Sequence, residues 1–292
     1  MKVHLVDGTY ELFRHHFGMP PEGREAEDTK AATRGVLFSL LQLFEDGATH
    51  VGVATDHVIE SFRNELWPTY KSSVGMPPEL LAQFGLLEDA LAAMGVPVWP
   101  MVELEADDAL AAAARTAAAD PAVEQVQIMT PDKDLAQCVV GDRVVQVDRR
   151  RQITTDEPGV KEKYGVPPES IPDWLALVGD SADGYPGLKG WGKTGSAAVL
   201  SRYRHIEDIP PLGLRWDVDV RGRERLAATL VDQRDLALLF KDLATLRVDA
   251  PVLDTVDALR WGGPTPALAD YAKEIRGWRL VEKAEAAAAK LA

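Results

Sequence analysis

The chain has 292 residues, of which 46% are hydrophobic, so it can bury a sizeable core and is long enough for two subdomains. Its single cysteine, Cys138, excludes a disulfide framework and favours a cytoplasmic location. The N-terminal residues reach Asp7-Gly8 before any long apolar run, so we expect neither a signal peptide nor a membrane span. The net charge of −14, taken alone, argues against a nucleic-acid partner.

Apolar runs alternate with helical patterns through the first half of the chain. Short apolar runs predict buried strands at residues 3–6, 51–54, 126–129 and 144–147. Apolar residues at helical spacing predict helices at residues 31–44, 79–94 and 107–119. This alternation predicts an α/β fold, with a mostly parallel sheet flanked by helices.

The pattern changes near Pro167-Pro168. From Glu169 onward the sequence has the character of helices and turns, and the alanine-rich residues 282–292 predict a final helix. We therefore place a domain boundary near residue 165, with an α/β part over residues 1–165 and a helical subdomain over residues 166–292.

Three aspartates follow predicted strands. Asp7, Asp56 and Asp132 come just after the first, second and third predicted strands. Ligands of open α/β sheets bind beyond the carboxyl ends of the strands, and the carboxyl ends of parallel strands share one edge. We therefore expect these three side chains to meet at that edge, although each aspartate taken alone is better explained as an ordinary turn residue.

Further carboxylates occur in three short groups: Glu105-Ala106-Asp107-Asp108, Asp132-Lys133-Asp134 and Asp180-Ser181-Ala182-Asp183. Taken singly, each group is explained by helix capping or the helix dipole. Taken together with the strand-end aspartates, they make nine carboxylates that would repel one another unless cations neutralise them. Oxygen ligands without cysteine or histidine favour Mg²⁺ or Mn²⁺. Such a site would also account for part of the negative net charge.

These motifs, in this order, resemble the 5′-nuclease family, which includes the 5′–3′ exonuclease domain of bacterial DNA polymerase I, phage 5′-exonucleases and flap endonucleases. The similarity runs from residue 3 to about residue 250. Besides the acidic groups, it rests on Leu5-Val6-Asp7-Gly8, Ser61-Phe62-Arg63, Tyr70-Lys71, Thr130-Pro131-Asp132-Lys133-Asp134-Leu135, Gly179-Asp180-Ser181-Ala182-Asp183, Pro186-Gly187-Leu188-Lys189-Gly190-Trp191-Gly192 and Asp242-Leu243-Ala244-Thr245-Leu246-Arg247.

The resemblance implies a PIN-like nuclease core with a helical arch over residues 1–165. It also implies a helix–three-turn–helix element at about residues 179–203, within the C-terminal helical subdomain. Two Mg²⁺ or Mn²⁺ ions would support in-line displacement at phosphorus, one activating a water and the other stabilising the leaving 3′ oxygen. The residues lining this metal site would be Asp7, Asp56, Glu105, Asp107, Asp108, Asp132, Asp134, Asp180 and Asp183.

The resemblance also assigns catalytic and DNA-contact roles. Lys71 would lie at the base of the arch and stabilise charge at the scissile phosphate, whereas an ordinary lysine here would be a solvated surface residue. Tyr70 would stack on the base beside the cut. Arg63 and Arg14 would contact phosphate groups.

Residues 187–194 form a glycine-rich segment, called here the glycine loop, between two predicted helices. Glycines let the backbone approach a phosphate, and the following helix presents free N–H groups. The alternative is a helix–helix turn without a ligand. The resemblance implies that this loop binds the backbone of duplex DNA independently of base sequence, with K⁺ bound. The residues implied to contact the DNA are Gly187, Lys189, Gly190, Gly192, Lys193, Thr194 and Ser196.

The chain departs from the family pattern in the arch and after the last acidic pair. Val74 occupies a position that is basic in many bacterial members, and no lysine or arginine lies between Lys71 and Glu88. Gly184 stands where the family has asparagine. These departures weaken the expected grip on a single-stranded 5′ end and leave the metal chemistry unaffected.

The sequence therefore predicts a stand-alone, monomeric, cytoplasmic 5′–3′ exonuclease or flap endonuclease that cuts DNA with 5′ ends or flaps, as in DNA replication and repair. No polymerase region is expected, and no membrane partner. Two alternatives stay open: a related ribonuclease with an acidic site, and a structure-specific DNA-binding protein with little or no cleavage.

Overall fold

The computed structural model describes residues 1–18 and 28–291. The strands are β1 (Lys2–Asp7), β2 (His50–Asp56), β3 (Val98–Met101), β4 (Gln125–Met129), β5 (Val144–Asp148) and β6 (Ile153–Thr155). The α-helices are α1 (Gly8–Gly18), α2 (Ala31–Glu45), α3 (Arg63–Leu66), α4 (Pro78–Leu81), α5 (Gln83–Ala93), α6 (Ala106–Ala119), α7 (Glu157–Tyr164), α8 (Ile171–Val178), α9 (Lys193–Tyr203), α10 (Arg223–Asp232), α11 (Arg234–Ala244), α12 (Leu268–Glu274) and α13 (Leu280–Leu291).

The chain folds into two compact units built from separate stretches of sequence. The first unit comprises Met1–Ile59, Ser73–Thr130 and Val248–Ala292, and the second comprises Glu60–Ser72 and Pro131–Arg247. Each unit thus combines residues from both parts of the chain. The domain boundary near residue 165 stays a prediction.

The first unit contains a parallel sheet. Strand β1 lies between β2 and β4, and β3 pairs with the other edge of β2. All seven residues of β2 are buried, as expected for a central strand covered on both faces. Helix α6 packs against β1, β2 and β4, and α2 packs against α1 and α5. The predicted mostly parallel sheet flanked by helices is confirmed.

The predicted helix over residues 79–94 is wrong as a single element, because α4 ends at Leu81 and α5 begins at Gln83. The Gln83 side chain is buried, donates to the carbonyl of Glu79 at 3.0 Å, and accepts hydrogen bonds from the N–H and hydroxyl of Thr33 at 3.0 and 3.1 Å. This buried amide ties the interruption to α2. Apolar periodicity alone does not reveal such a contact.

Two elements of the first unit escaped sequence-based prediction. Strand β3 contains Pro100 and is half-exposed, which argues against a central strand but is permitted at a sheet edge. Helix α1 begins directly at Gly8, where we expected only a turn, and Asp7 accepts the N–H of Tyr10 at 2.8 Å in the manner of an N-cap. Asp7, as an N-cap residue, was therefore the sequence feature that indicated the start of α1.

The last segment, residues 248–291, belongs to the first unit. The indole of Trp261 stacks on Phe44 with ring centroids 3.8 Å apart, and its N–H donates to the carbonyl of Met94 at 2.8 Å. Within residues 1–18 and 28–291, every helix is too short or too polar to cross a bilayer.

The second unit consists of helices and a short antiparallel pair, β5 with β6. Helix α8 packs against both α9 and α11. Its fully buried Asp173 carboxylate lies 2.8 Å from the ammonium of Lys241 and accepts the backbone N–H of Ile206 at 2.8 Å. Because a buried charge is costly unless it is paired, this network fixes α8 against its neighbours. Helices α8 and α9 flank the loop that holds the predicted helix–three-turn–helix residues.

Candidate metal centre and nucleic-acid interface

Asp7 is the last residue of β1 and is 6% exposed. One carboxylate oxygen accepts the N–H of Tyr10 at 2.8 Å and the other accepts the hydroxyl of Thr130 at 3.0 Å. The strand end, the start of α1 and the end of the β4 segment therefore hold this carboxylate in one orientation. A carboxylate fixed in this way is preorganised for a cation.

Asp56 ends β2, the strand next to β1, in agreement with the prediction that Asp7 and Asp56 share the carboxyl edge of the sheet. Its carboxylate accepts the first N–H of α6, from Ala106, at 2.8 Å. Glu105 and Asp108 form a reciprocal capping box at the same helix end, with the Glu105 N–H donating to Asp108 at 3.0 Å. Asp108 is fully buried, whereas Asp107 is partly exposed. Glu105 and Asp108 thus cap the start of α6, in addition to their predicted role in the metal site.

Three aspartates of the second unit, Asp134, Asp180 and Asp183, form the group called here the acidic triad. Each offers a carboxylate oxygen, and these oxygens lie within 4.8 Å of one another. Asp134 and Asp180 are 5% and 3% exposed, and Asp183 is partly exposed. Among the residues that the structure describes, this is the group whose spacing suits a shared cation.

The acidic triad carries more negative charge than the neighbouring ammonium group of Lys133 neutralises. Burial, together with the negative charges of Asp132, Asp183 and Asp180, raises the pKa of Asp134 well above its usual range, and Lys133 opposes this only in part. One oxygen of Asp134 is buried without a hydrogen-bond partner. Hard oxygen donors that are crowded and under-satisfied fit a divalent cation. The residues present therefore fit the predicted metal.

Asp132 lies two residues before Asp134 and is exposed. Its carboxylate accepts the N–H of Asp134 at 3.0 Å, and its carbonyl accepts the side-chain amide of Gln146. The intervening Lys133 forms an ion pair with Asp180. Asp132 therefore orients the short turn that carries Asp134.

Lys71 lies beside the acidic triad in the second unit. Its backbone N–H donates to the carbonyl of Asp183 at 3.1 Å, although the two residues are far apart in sequence. Gly184 has φ +82°, and a Cβ there would lie 2.1 Å from the carbonyl oxygen of Thr69. Glycine in place of the family asparagine thus permits the close approach of these two segments. Tyr70, the predicted stacking residue, is 4% exposed and lies in the core of this unit.

Arg63 and Arg14 have protein partners in the structure. Arg63 is 1% exposed, and its guanidinium donates to the carbonyls of Leu243 at 2.8 Å and Thr245 at 3.3 Å, at the end of α11. Arg14 pairs with the buried Glu11 at 2.5 Å. These contacts position both arginines, and their predicted phosphate contacts stay predictions.

The glycine loop leads directly into α9, which begins at Lys193. Lys189, Gly190, Gly192, Lys193 and Thr194 are exposed, whereas Gly187 and Ser196 are buried. A Cβ on Gly192 would meet no atom within 4 Å. The open backbone, the free N–H groups at the start of α9 and the adjacent lysines can together accommodate a phosphate. The buried Ser196 hydroxyl does not face that surface.

Sequence reasoning missed Tyr185, which lines a cleft of about 550 Å³ together with Lys133, Trp174, Asp180 and Lys193. Its ring is 1% exposed, and its hydroxyl is buried without a hydrogen-bond partner. Burial and the charges of Asp134, Asp183 and Asp180 raise the pKa of this phenol. The sequence feature that could have indicated Tyr185 is its position two residues after Asp183.

The architecture is that of a PIN-like resolvase α/β domain combined with a SAM-like helical domain. Residues 2–165 match the family model described as "5'-3' exonuclease, N-terminal resolvase-like domain", and residues 166–267 match "5'-3' exonuclease, C-terminal SAM fold". The chain therefore belongs to the 5′–3′ exonuclease family. The fold class and family predicted from the sequence are confirmed, and the family is one of 5′–3′ exonuclease hydrolases.

Curated relatives agree with this assignment. The DNA polymerase I of Rhizobium leguminosarum is 35% identical over 265 residues, which are 87% of this chain and 25% of that protein. The DNA polymerase I of Pseudomonas aeruginosa is 34% identical over 270 residues, 89% of this chain and 29% of that protein. The chain thus spans less than a third of the length of these relatives.

Solved structures share the fold. A bacteriophage T5 flap endonuclease, in a pseudo-enzyme-product complex with DNA and metal ions, superposes with a TM-score of 0.66 at 19% identity, covering 97% of this chain and 100% of that one. The T5 5′-exonuclease with bound divalent metal ions, zinc, gives a TM-score of 0.64 at 19% identity, covering 95% and 99%.

Proposed function

We propose that the chain hydrolyses DNA phosphodiester bonds at 5′ ends or 5′ flaps, as a divalent-metal-dependent 5′–3′ exonuclease or flap endonuclease. The acidic triad is the observation that carries the proposal, because its three oxygens lie within 4.8 Å of one another and one Asp134 oxygen lacks a partner. The nine carboxylates predicted from the sequence would hold two Mg²⁺ or Mn²⁺ ions. The family assignment and the DNA in the T5 complex support the same chemistry.

Different residues of the chain would have different roles in the reaction. When bound, the cations would activate the attacking water and neutralise charge at the leaving oxygen. Asp7 and Asp56, fixed by their hydrogen bonds, hold oxygens in place at the sheet edge, and Asp134, Asp180 and Asp183 do the same in the second unit. Lys71 would stabilise charge that develops on the scissile phosphate.

The glycine loop would bind the duplex backbone. Gly192 leaves the backbone open, α9 presents its first N–H groups, and Lys189 and Lys193 add positive charge. K⁺ at this loop is part of the proposal, and duplex affinity measured in potassium and in sodium salts of equal ionic strength tests it. The single Cys138 supports the predicted cytoplasmic location, and light scattering tests the predicted monomer.

A cleavage assay tests the function. Labelled DNA and RNA flaps are incubated with Mg²⁺, with and without a chelator, using the wild type and Asp134→Asn. We expect metal-dependent cutting of the DNA flap by the wild type alone. Cutting confined to RNA would favour the ribonuclease alternative. Tight flap binding without cleavage would favour the structure-specific DNA-binding alternative.

A further inference from the structure

Trp278 is the one tryptophan of this chain that lies largely in water. All seven tryptophans are among the described residues, and the other six are buried or half-buried, whereas Trp278 is 75% exposed. Along residues 249–291 it is also the one exposed large hydrophobic side chain. Tryptophan is highly buried on average, so an indole in this position indicates a use other than packing.

A fixed turn holds Trp278 at the surface. It lies between α12 and α13, at residues 276–279, and is called here the Trp278 turn. Ile275 and Leu280, on its two sides, are fully buried. The N–H of Gly277 donates to the carbonyl of Ala272 at 2.7 Å, and the Gly277 carbonyl accepts the N–H of Leu280 at 2.8 Å. The exposure of the indole is therefore set by a backbone that is anchored on both sides.

Arg276, two residues before the indole, has a left-handed backbone conformation. Its φ is +56°, and it follows the end of α12, where the left-handed residue of a helix end is usually glycine. A positive φ is uncommon for other residues, and such conformations cluster at functional sites. The Arg276 side chain is exposed, so packing does not account for it. The fold thus keeps a guanidinium group near Trp278 at a position where glycine would be less strained.

The Trp278 turn carries two arginines, Arg276 and Arg279. Three other basic side chains near it are already paired with carboxylates: Lys30 with Glu274, Arg34 with Asp28, and Lys273 with Asp270. The hydrogen bond from Arg34 is the main cause of the lowered pKa of Asp28, and the charge of Arg276 adds a smaller effect. Within residues 1–18 and 28–291, the side chains of Arg276 and Arg279 form no hydrogen bond or ion pair. The turn is therefore a positive patch in a chain whose net charge is −14.

An exposed indole between two guanidinium groups suits an unpaired stretch of nucleic acid. A single strand exposes the faces of its bases, which stack on aromatic side chains, and its phosphates bind arginine. The bases of a duplex are already stacked on one another and offer no such face. A protein partner would need a wider apolar surface than one ring supplies. The chemistry of the turn therefore favours a single strand over a duplex or a second protein.

We propose that the Trp278 turn binds single-stranded DNA, with the indole of Trp278 stacked on one base and with Arg276 and Arg279 on the phosphates beside it. Such binding is independent of base sequence, because every base has a face that can stack. The choice of DNA as the ligand rests on the proposed function. The inference extends that function, because the segment between Lys71 and Glu88 has no lysine or arginine to hold an unpaired strand.

The first test is the affinity for labelled oligo(dT), a strand that forms no duplex, measured by fluorescence anisotropy in EDTA so that metal-dependent cleavage cannot proceed. Trp278→Ala should raise the Kd about tenfold, within the range for loss of one stacked base. Trp278→Phe should retain most of the affinity, because a smaller ring still offers a face. Leu214→Ala is the matched control: Leu214 is 70% exposed and precedes an arginine, but it has no ring. This control should bind oligo(dT) as the wild type does.

The second test is the salt dependence of the same binding. Arg276→Gln and Arg279→Gln should each reduce the slope of log K against log salt concentration by about 0.7, the value for one phosphate contact with a single strand. A purely structural role of either arginine would leave this slope unchanged. Arg115→Gln removes an exposed arginine of α6 and is the control, which should keep the wild-type slope.

Further outcomes decide between the alternatives. Wild-type affinity for oligo(dT) in Trp278→Ala overturns the inference, and if that variant also loses a self-association that light scattering detects in the wild type, the turn contacts a second copy of the chain instead. Trp278→Ala should bind a blunt duplex as the wild type does, and an equal loss on that duplex would overturn the preference for a single strand. If the wild type binds oligo(dT) through Trp278 but cuts no DNA flap with Mg²⁺, the proposed function fails and the single-strand site stands.

Discussion

The ammonium group of Lys133 forms an ion pair with the carboxylate of Asp180, inside the group of aspartates that best fits a cation. Burial acts to lower the pKa of Lys133, but the hydrogen bond with Asp180 and the charges of Asp134, Asp180 and Asp132 outweigh it and raise that pKa. Lys133 therefore stays charged and acts as an internal counter-ion. A metal ion held by the acidic triad would compete with this ammonium group for the Asp180 carboxylate.

Replacing Lys133 by methionine should therefore have opposite effects on stability and on metal binding. Loss of a charged hydrogen bond to buried Asp180 should lower the free energy of unfolding of the metal-free protein by about 1–3 kcal/mol. Mn²⁺ should bind more tightly, because no ammonium group competes with it. Urea unfolding in EDTA measures the stability of the metal-free protein, and the added stability in Mn²⁺ measures metal binding. Lys161→Met, which removes an exposed i,i+4 pair with Glu157, should leave the free energy of unfolding nearly unchanged. Weaker Mn²⁺ binding in Lys133→Met would contradict the competition.

Asp107 and Asp108 are both predicted to line the metal site, but they should contribute differently to the free energy of unfolding. Asp108 is fully buried and completes the capping box with Glu105, so Asp108→Ala should lower the free energy of unfolding by about 1–2 kcal/mol. Asp107 is partly exposed on the first turn of the helix, and Asp107→Ala should cost less than about 0.5 kcal/mol. Chemical denaturation in EDTA compares them without the contribution of metal. Equal losses would show that the capping box does not stabilise α6.

The glycine loop is best tested at Gly192. Gly190 has φ +88°, so any side chain there strains the backbone, whereas a side chain on Gly192 meets no protein atom within 4 Å. Gly192 is also the N-cap of α9, where valine is less favourable than glycine, so Gly192→Val should cost about 1 kcal/mol of stability. It should weaken duplex binding roughly tenfold, the equivalent of one lost charged hydrogen bond. Fluorescence anisotropy on two duplexes of unrelated sequence should show the same loss, because phosphate contacts carry no base code. Gly262→Val, at another open glycine, is the control. Unchanged affinity in Gly192→Val would remove this position from the DNA-contact surface.

Lys71 should affect the rate of cleavage more than binding. Its backbone is held to the carbonyl of Asp183 at 3.1 Å, which places the residue beside the acidic triad. A cation near the scissile phosphate favours the transition state, where charge builds up. Lys71→Ala should lower the single-turnover cleavage rate by about 10²–10³ with little change in duplex affinity, as for loss of one preorganised donor.

Lys71→Arg is the companion variant, and it should restore the rate only in part because a planar guanidinium replaces a compact ammonium group. Weakened binding with an unchanged rate of the bound complex would make Lys71 a phosphate anchor instead.

The amino-acid sequence by itself determined the parallel sheet and much of the candidate site. Short continuous apolar runs, typical of buried parallel strands, come just before Asp7 and Asp56, and neighbouring parallel strands bring such ends to one edge. The order of the acidic motifs identified the family. These features are local in sequence, so periodicity and spacing are sufficient to find them.

Only the tertiary structure decided which distant residues share an environment. Packing between segments that are far apart in sequence produces the hydrogen bond between Lys71 and Asp183 and the ion pair between Lys133 and Asp180. It also decides the position of Tyr185. The same is true of Trp261, which returns to stack on Phe44. Such contacts form because burial of apolar surface and the pairing of buried polar groups are satisfied over the whole fold at once, and no local sequence pattern records them.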